Sequence, residues 1–299
     1  MIPLRIACIG KHGQTAQALA GVAAGYPSIE LHQAGRDGAD LTDAAALEAF
    51  IHQTQAHVVL NAGAYNLVDK AENDEAKAFG VNAEGSRTLA RLCNRYGEHF
   101  IHMSTDCVFD GAGTEPHTED EPPRPLSAYG RSKLAGELAV AEEYPKAVTA
   151  RVCWVFSEFA ESFVSKVIEW ARARPVLQIV SDQIGPPTYA PDIAIALLRL
   201  ARAKVESARD LSGLLHLASP DAMSRSDMAK AIMAESQRQG GPFARIDPVT
   251  TASFNAPAKR PLNARLSNVK AAEALGLSWT PYAAALERSV AGVLKRTAS

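Results

Sequence analysis

Short apolar runs alternate with alanine-rich, helix-compatible stretches through the first half of this chain, and that alternation constrains the fold more than any other feature. The runs lie at residues 5–9, 29–34, 57–61, 99–103 and 147–156. Between them, residues 14–24 are rich in alanine, and residues 43–54 place Ala46, Leu47, Phe50 and Ile51 at helical spacing. Residues 70–96 are charged and proline-free, which predicts one helix or two, and residues 132–143 predict another. Strands separated by helical stretches form βαβ units and a parallel sheet. Right-handed crossovers place helices on both faces. The predicted fold class is therefore α/β, a doubly wound parallel sheet. Such sheets bind ligands at the carboxyl ends of the strands, where the strand order reverses.

Beyond residue 156 the alternation loosens. Helices are predicted at 163–174 and 192–203, a turn at Gly185-Pro186-Pro187-Thr188 and one more buried strand at 213–218. Residues 219–299 mix helices with proline-containing loops. The chain is expected to divide into a sheet domain, residues 1–160 and about 190–218, and a smaller, partly interleaved C-terminal domain, about 161–189 and 219–299.

The charge balance narrows the function. Thirty-one Lys and Arg face 33 Asp and Glu, a net charge of −2. This excludes the basic excess of a bulk nucleic-acid binder. With 47% hydrophobic and 21% charged residues, the chain is neither disordered nor fibrous. No apolar stretch approaches the ~18 residues of a membrane span. The N-terminus enters a strand-like run without the basic region, apolar stretch and small-residue cleavage site of a leader. Four cysteines with no Cys-x-x-Cys pair predict reduced thiols. A soluble, cytoplasmic protein is expected. The eight histidines show no metal-ligand spacing, so no metal site is expected either.

The first apolar run ends in Gly10-Lys11-His12-Gly13-Gln14-Thr15-Ala16, and a helix follows. The first glycine allows a tight turn, and the second lets backbone approach a diphosphate. The helix N-terminus offers unpaired N–H groups and a positive dipole end. Ala16 holds the third small position. Ordinary strand-to-helix turns share this spacing, but the flanking strand and helix favour a dinucleotide site. Past the second strand stand Gly35-Arg36-Asp37. Arg36 can pair with a ribose 2′-phosphate, which favours NADPH, while Asp37 can read a hydroxyl, which keeps NADH open. Asp40 and Leu41 follow, placed to lie under an adenine.

Ser104-Thr105-Asp106 closes the fourth strand, and Tyr129-Gly130-Arg131-Ser132-Lys133 opens a helix. Tyr129 and Lys133, four apart, share a helix face. A phenol of pKa ~10 is a poor acid or base at neutral pH unless a cation stabilises its phenolate. Lys133 can supply that cation and bond a ribose. Thr105 can hold a carbonyl oxygen beside the phenol. These are the parts needed to protonate an alkoxide as hydride reaches its carbon.

The chain resembles the dTDP-4-dehydrorhamnose reductase family of extended short-chain dehydrogenases/reductases. The resemblance rests on Gly10-x-x-Gly13-Gln14, Asn61-Ala62-Gly63-Ala64-Tyr65 and Val68-Asp69-Lys70-Ala71-Glu72. It continues through 104–111, 129–137, Arg151-Val152-Cys153-Trp154-Val155, 182–188 and Arg260-Pro261, in family order over nearly the whole chain. It implies reduction of the C4 ketone of a dTDP-linked 4-keto-6-deoxy sugar with NADPH or NADH. It further implies Tyr129 as proton donor, with Lys133 on the nicotinamide ribose and lowering the phenol's pKa. Thr105 would orient the keto oxygen and Asp106 would stand near the sugar. Gly10, His12, Gly13, Gln14, Arg36, Asp40, Leu41 and the segment from Asn61 to Tyr65 would line the cofactor. Val68, Cys107, Trp154 and Arg260 would meet the substrate, with Trp154 over a sugar or base face and Arg260 at the diphosphate.

Two departures stand out: Cys107 where the family usually has tyrosine, and Ala16 for the third glycine. A smaller one is Asn66. Cys107 reshapes the sugar pocket and keeps another 4-keto-6-deoxy sugar nucleotide open as substrate. A homodimer is the default for the superfamily. Similar chains also include NADP-binding regulatory subunits and NAD-retaining epimerases. The intact Thr105, Tyr129 and Lys133 set favours a reductase. Pro122-Pro123-Arg124-Pro125 reads as a rigid loop over the site rather than a linker.

Overall fold

The computed structural model describes residues 3–207 and 211–298. Five of the strands are β1 (Leu4–Ile9), β2 (Ile29–Ala34), β3 (Val58–Asn61), β4 (His99–Thr105) and β5 (Val148–Val152). With Gly213–Leu217 they form one parallel sheet, ordered Gly213–Leu217, β5, β4, β3, β1, β2. This is the doubly wound α/β class. The order reverses between β1 and β3, where Ile9 pairs with Asn61. Asn61 pairs with His102, so β4 runs on past β3 and carries Thr105 beyond its end, level with Val152 at the end of β5.

Parallel strands are covered on both faces and read as continuous apolar runs. Val58, Val59 and Leu60 are each fully buried. Alternate residues serve opposite faces, as the two-residue period of a strand requires. Ile6, Cys8 and Leu60 pack with α1 (Gln14–Ala23) and the helix Ala190–Glu206. Ala7, Ile9, Val59 and Phe100 pack with α2 (Ala44–Thr54) and the helix Gly85–Tyr96. Asp43 caps α2, accepting from the N–H groups of Ala45 and Ala46, so that helix begins one residue later than its sequence pattern.

A further core joins Phe156 to the helices Phe163–Ala173, Arg225–Arg238 and Tyr282–Ala298. Beside it Val176–Val180 pairs in parallel with Arg245–Val249, two short strands that the sequence pattern did not reveal. The expected strand at 147–156 breaks. Trp154 takes a left-handed backbone at φ 42°, and Val155–Phe156 restarts as a strand against Thr188–Tyr189. The expected turn at 185–188 is bracketed by short strands, Ile184–Gly185 pairing with Met223–Ser224 on one side. The 70–96 stretch divides into Val68–Ala71, Glu75–Phe79, a π-turn at Gly80–Glu84 and Gly85–Tyr96. All four cysteines are free thiols. Among the described residues no helix is long and apolar enough to cross a membrane.

Candidate active site

The glycine turn sits at the reversal point. Gly10 has φ 122°, and a Cβ there would lie 3.0 Å from the Ala62 backbone, so only glycine lets β1 turn against the end of β3. Gly13 caps α1 with extended backbone, no side chain caps the helix, and its first turn holds no acid. A Cβ at Gly13 would meet nothing within 4 Å. The N–H groups of this ten-residue helix therefore face open ground, which fits the diphosphate of a dinucleotide. Ala16 is buried, so the third position needs only to be small.

The other expected cofactor residues divide. His12 is exposed, its Nε2 3.6 Å from where a Gly35 Cβ would stand. Arg36 is exposed beyond the end of β2. Gln14 points elsewhere: its Nε2 donates to the carbonyls of Ala160 and Glu161 at 2.7 and 2.8 Å, and its Oε1 accepts from Ser157. It ties α1 to the loop after Phe156. Asp40 accepts from Thr42 N and Oγ1 at 2.8 and 2.7 Å, bonds that hold its carboxyl below the usual range. Leu41 is buried beneath Gly63 and Gly85.

After β3 a polar scaffold takes over. Asn61 Oδ1 accepts from Gly63 N at 3.1 Å, shaping the Ala62–Gly63–Ala64 backbone. Its Nδ2 donates to Ser86 and to His102 Nδ1. Burial, and then Lys133, push His102 well down, so it stays neutral and able to accept. Tyr65 was expected to line the cofactor, but its ring turns into a small core with Ala71, Ala78 and Ala128 that Tyr129 packs against. Asn82, in the π-turn, clamps it: Oδ1 accepts from Tyr65 N at 2.8 Å and Nδ2 donates to Tyr65 O at 3.0 Å. Nδ2 also donates to Ser132 Oγ, which in turn donates to the Tyr129 carbonyl. An asparagine inside a helical stretch was the one sequence signal for this brace.

The helix carrying Tyr129 and Lys133 begins at Ala128, four residues before the sequence pattern, because Ser127 caps it by accepting from Gly130 N. A Cβ at Gly130 would stand 2.2 Å from the Cys107 carbonyl, and one at Gly136 2.2 Å from that of Asn82. Two glycines thus let this helix lie directly on the β4 end and on the π-turn. Thr105 Oγ1 donates to Asp106 at 3.1 Å and accepts from Cys107 N at 3.2 Å. The Tyr129 phenol lies close enough to Thr105 for the threonine to favour its ionised form. Thr105, Tyr129 and Lys133 converge here, at the carboxyl edge of the sheet.

The electrostatics differ from the sequence expectation in one respect. Lys133 Nζ donates to the Met103 carbonyl at 2.7 Å, and burial pushes this lysine down to about 8. Burial, reinforced by Cys107 and Asp106, pushes the Tyr129 phenol up rather than down. A cation turned onto a backbone carbonyl does not offset the cost of a buried phenolate. The phenol therefore holds its proton at neutral pH, the state a proton donor requires. Burial pushes Cys107 up to about 12, which leaves it an unreactive thiol.

Burial also raises Asp106 to about 6 from the ordinary 3.8. Between those pH values the folded chain keeps a proton that the unfolded chain has released. Stability from this group therefore falls as pH rises through the window. Asp106→Asn flattens that decline in urea unfolding midpoints measured across the window. Parallel pH profiles for the two proteins would contradict the burial.

Beside this centre opens a cavity of about 670 Å³, with Leu67, Asp69, Phe163, Lys166, Phe254 and Arg260 in its walls. Val68 opens the short helix between Leu67 and Asp69. Arg260, expected at a diphosphate, instead grips Asp69 in a fork of 3.0 and 2.8 Å. Trp154, expected over a sugar, has Arg225 stacked 3.5 Å from its ring centroid. Arg225 also lines the cavity and acts through space on Asp106 and Cys107, linking cavity and reacting centre. No sequence motif marked it.

Comparison with known proteins agrees with this fold. The family described as RmlD substrate binding domain matches residues 4–294. The dTDP-4-dehydrorhamnose reductase of Sinorhizobium fredii is 36% identical over 275 residues, 92% of each chain. That of Burkholderia thailandensis is 41% identical over 249 residues, covering 81% of this chain and 84% of its own. The crystal structure of the Bacillus anthracis dTDP-4-dehydrorhamnose reductase in complex with NADP superposes with a TM-score of 0.86 at 25% identity, over 99% of this chain and all of that one. With its fold, its glycine turn and its Thr105–Tyr129–Lys133 cluster, this chain belongs to the dTDP-4-dehydrorhamnose reductase family.

Proposed function

We propose that this chain reduces the C4 ketone of dTDP-4-dehydro-L-rhamnose to dTDP-L-rhamnose with NADPH. The observation that carries this reading is the convergence of Thr105, Tyr129 and Lys133 between an open diphosphate cradle and a substrate-sized cavity. The family membership and the NADP held by the Bacillus anthracis relative support it.

Gly10, Gly13 and the N-terminus of α1 would hold the cofactor diphosphate, and Arg36 the 2′-phosphate. The segment from Asn61 to Ala64 would line the nicotinamide half. When bound, the dihydronicotinamide supplies the hydride. Thr105 holds the keto oxygen and Tyr129 gives its proton to that oxygen as the carbon is reduced, so ketone, hydride and proton balance to a secondary alcohol. Lys133 orients the ribose. The sheet domain, 1–160 and about 190–218, serves the dinucleotide; about 161–189 and 219–299 serve the nucleotide sugar.

The test is NADPH oxidation followed at 340 nm with the keto sugar generated in place. Rapid oxidation with formation of dTDP-L-rhamnose upholds the reading. NADPH binding without oxidation would overturn it, and turnover with a different 4-keto-6-deoxy sugar would transfer it to that substrate through the Cys107 pocket. Arg36→Ala weakens NADPH by roughly tenfold and leaves NADH nearly unaffected in fluorescence titrations. An equal loss for both would remove Arg36 from the 2′-phosphate.

A further inference from the structure

Three cations line the cavity among the described residues, and two of them are committed. Arg260 holds Asp69, and Lys166 holds Glu161 at 2.9 Å. Arg225 rests instead on aromatic rings, 3.5 Å from the centroid of Trp154 and 5.0 Å from that of Phe163. Among the described residues no oxygen accepts from its guanidinium, and Asp106 acts on it only through space. A half-buried guanidinium with no protein acceptor keeps its donors for an anionic ligand.

The stack that holds Arg225 is built from below. A Cβ at Gly185 would fall 2.6 Å from the indole, so only glycine lets Trp154 settle there. The left-handed backbone at Trp154 sets the direction of the ring. Arg225 is the first residue of its helix, anchored by its own N–H on the Gln183 carbonyl at 3.1 Å. Burial pushes the guanidinium down to about 10, which leaves it charged at neutral pH. Arg260 repels it across the same space, while Asp106 attracts it.

Resting on the nucleotide-sugar reading above, we propose that Arg225 is the residue that binds the diphosphate of the substrate. Trp154 is then a positioning residue, acting through Arg225 rather than covering a sugar face. A guanidinium fork matches two phosphate oxygens, and a ring beneath it removes much of the side chain's freedom before binding. Arg225 lines the cavity and acts through space on Asp106, so a diphosphate held there would direct its attached sugar toward Thr105 and Tyr129.

Calorimetric titration of the NADPH-loaded full chain with dTDP and with thymidine tests the assignment. Arg225→Ala weakens dTDP by roughly 10- to 100-fold and leaves thymidine unchanged, and Arg225→Lys recovers part of the loss. Unaltered NADPH affinity shows that the variants fold. Trp154→Leu weakens dTDP in the wild-type background and adds nothing once Arg225 is Ala; additive losses would overturn the positioning role. Equal dTDP affinity in the wild type and Arg225→Ala overturns the assignment and leaves the reductase reading standing. Arg225-dependent dTDP binding in a protein that never oxidises NADPH upholds the assignment and overturns the reductase reading. A wild-type protein that ignores dTDP overturns both.

Discussion

Tyr129→Phe lowers kcat by about 100- to 10,000-fold and leaves NADPH affinity unchanged. The substitution removes one oxygen and keeps the ring that packs against the Tyr65, Ala71, Ala78 and Ala128 cluster, so the helix start survives. What disappears is the proton held next to Thr105. Thr105 cannot replace it, because an aliphatic hydroxyl is a far weaker acid than a phenol and can orient the keto oxygen without giving up its proton. Lys133 cannot either, since Nζ is bound to the Met103 carbonyl. Steady-state oxidation of NADPH, with a fluorescence titration of NADPH binding, measures both halves. Turnover near the wild-type value would remove Tyr129 from the chemistry.

Glu137→Ala destabilises the fold by about 3–5 kcal/mol, the cost of leaving a buried charge without its partner. Glu137 lies one turn beyond Lys133 and is 5% exposed, while Arg151 on β5 is 1% exposed. The guanidinium meets both carboxylate oxygens, at 2.9 and 2.6 Å, and lies 4.9 Å from the Phe109 ring centroid. Its remaining contact is Nε2 of His216 at 3.4 Å. Burial, then Arg151, push His216 down to about 3, so that histidine stays neutral and can accept a bond but not balance a charge. Glu137→Gln keeps the shape and one acceptor and loses less. Replacing both partners with apolar residues of similar volume restores much of the stability. Urea unfolding of the variants checks the series; an unchanged midpoint in Glu137→Ala would contradict it. Glu137 also supports the charge on Lys133, so the loss reaches the active site as well as the core.

Much of this was legible in the sequence because it is local. The apolar runs of β1 and β3 announce themselves, since a strand buried on both faces must be apolar throughout, while the edge strand β2 carries Glu30, His32 and Gln33 and shows only through its place in the alternation. Gly10 and Gly13 are legible for the same reason: the backbone itself demands them. Thr105, Tyr129 and Lys133 stand at spacings that one strand end and one helix turn explain. What stayed hidden depends on partners distant in the chain. Gln14 looks like part of a cofactor turn until Ala160 and Glu161 claim it. Arg260 looks free until Asp69 takes it. Asn82, Glu137, Arg151 and Arg225 act through residues from 14 to 119 positions away, and no short pattern encodes such pairs. Val176–Val180 and Arg245–Val249 were missed because only one side of each is covered, which leaves no continuous apolar run. The break at Trp154 was missed because a left-handed tryptophan follows from its packing on Gly185 and Arg225, not from its own preference.

The central claim is that hydride passes from the cofactor to the sugar C4 while Tyr129 protonates the oxygen. Turnover with NADPH carrying deuterium at the transferring C4 position, followed by NMR and mass analysis of the nucleotide sugar, tests it most directly. The expected product is dTDP-L-rhamnose with one deuterium at the sugar C4. Unlabelled product, or deuterium at any other carbon, would contradict it.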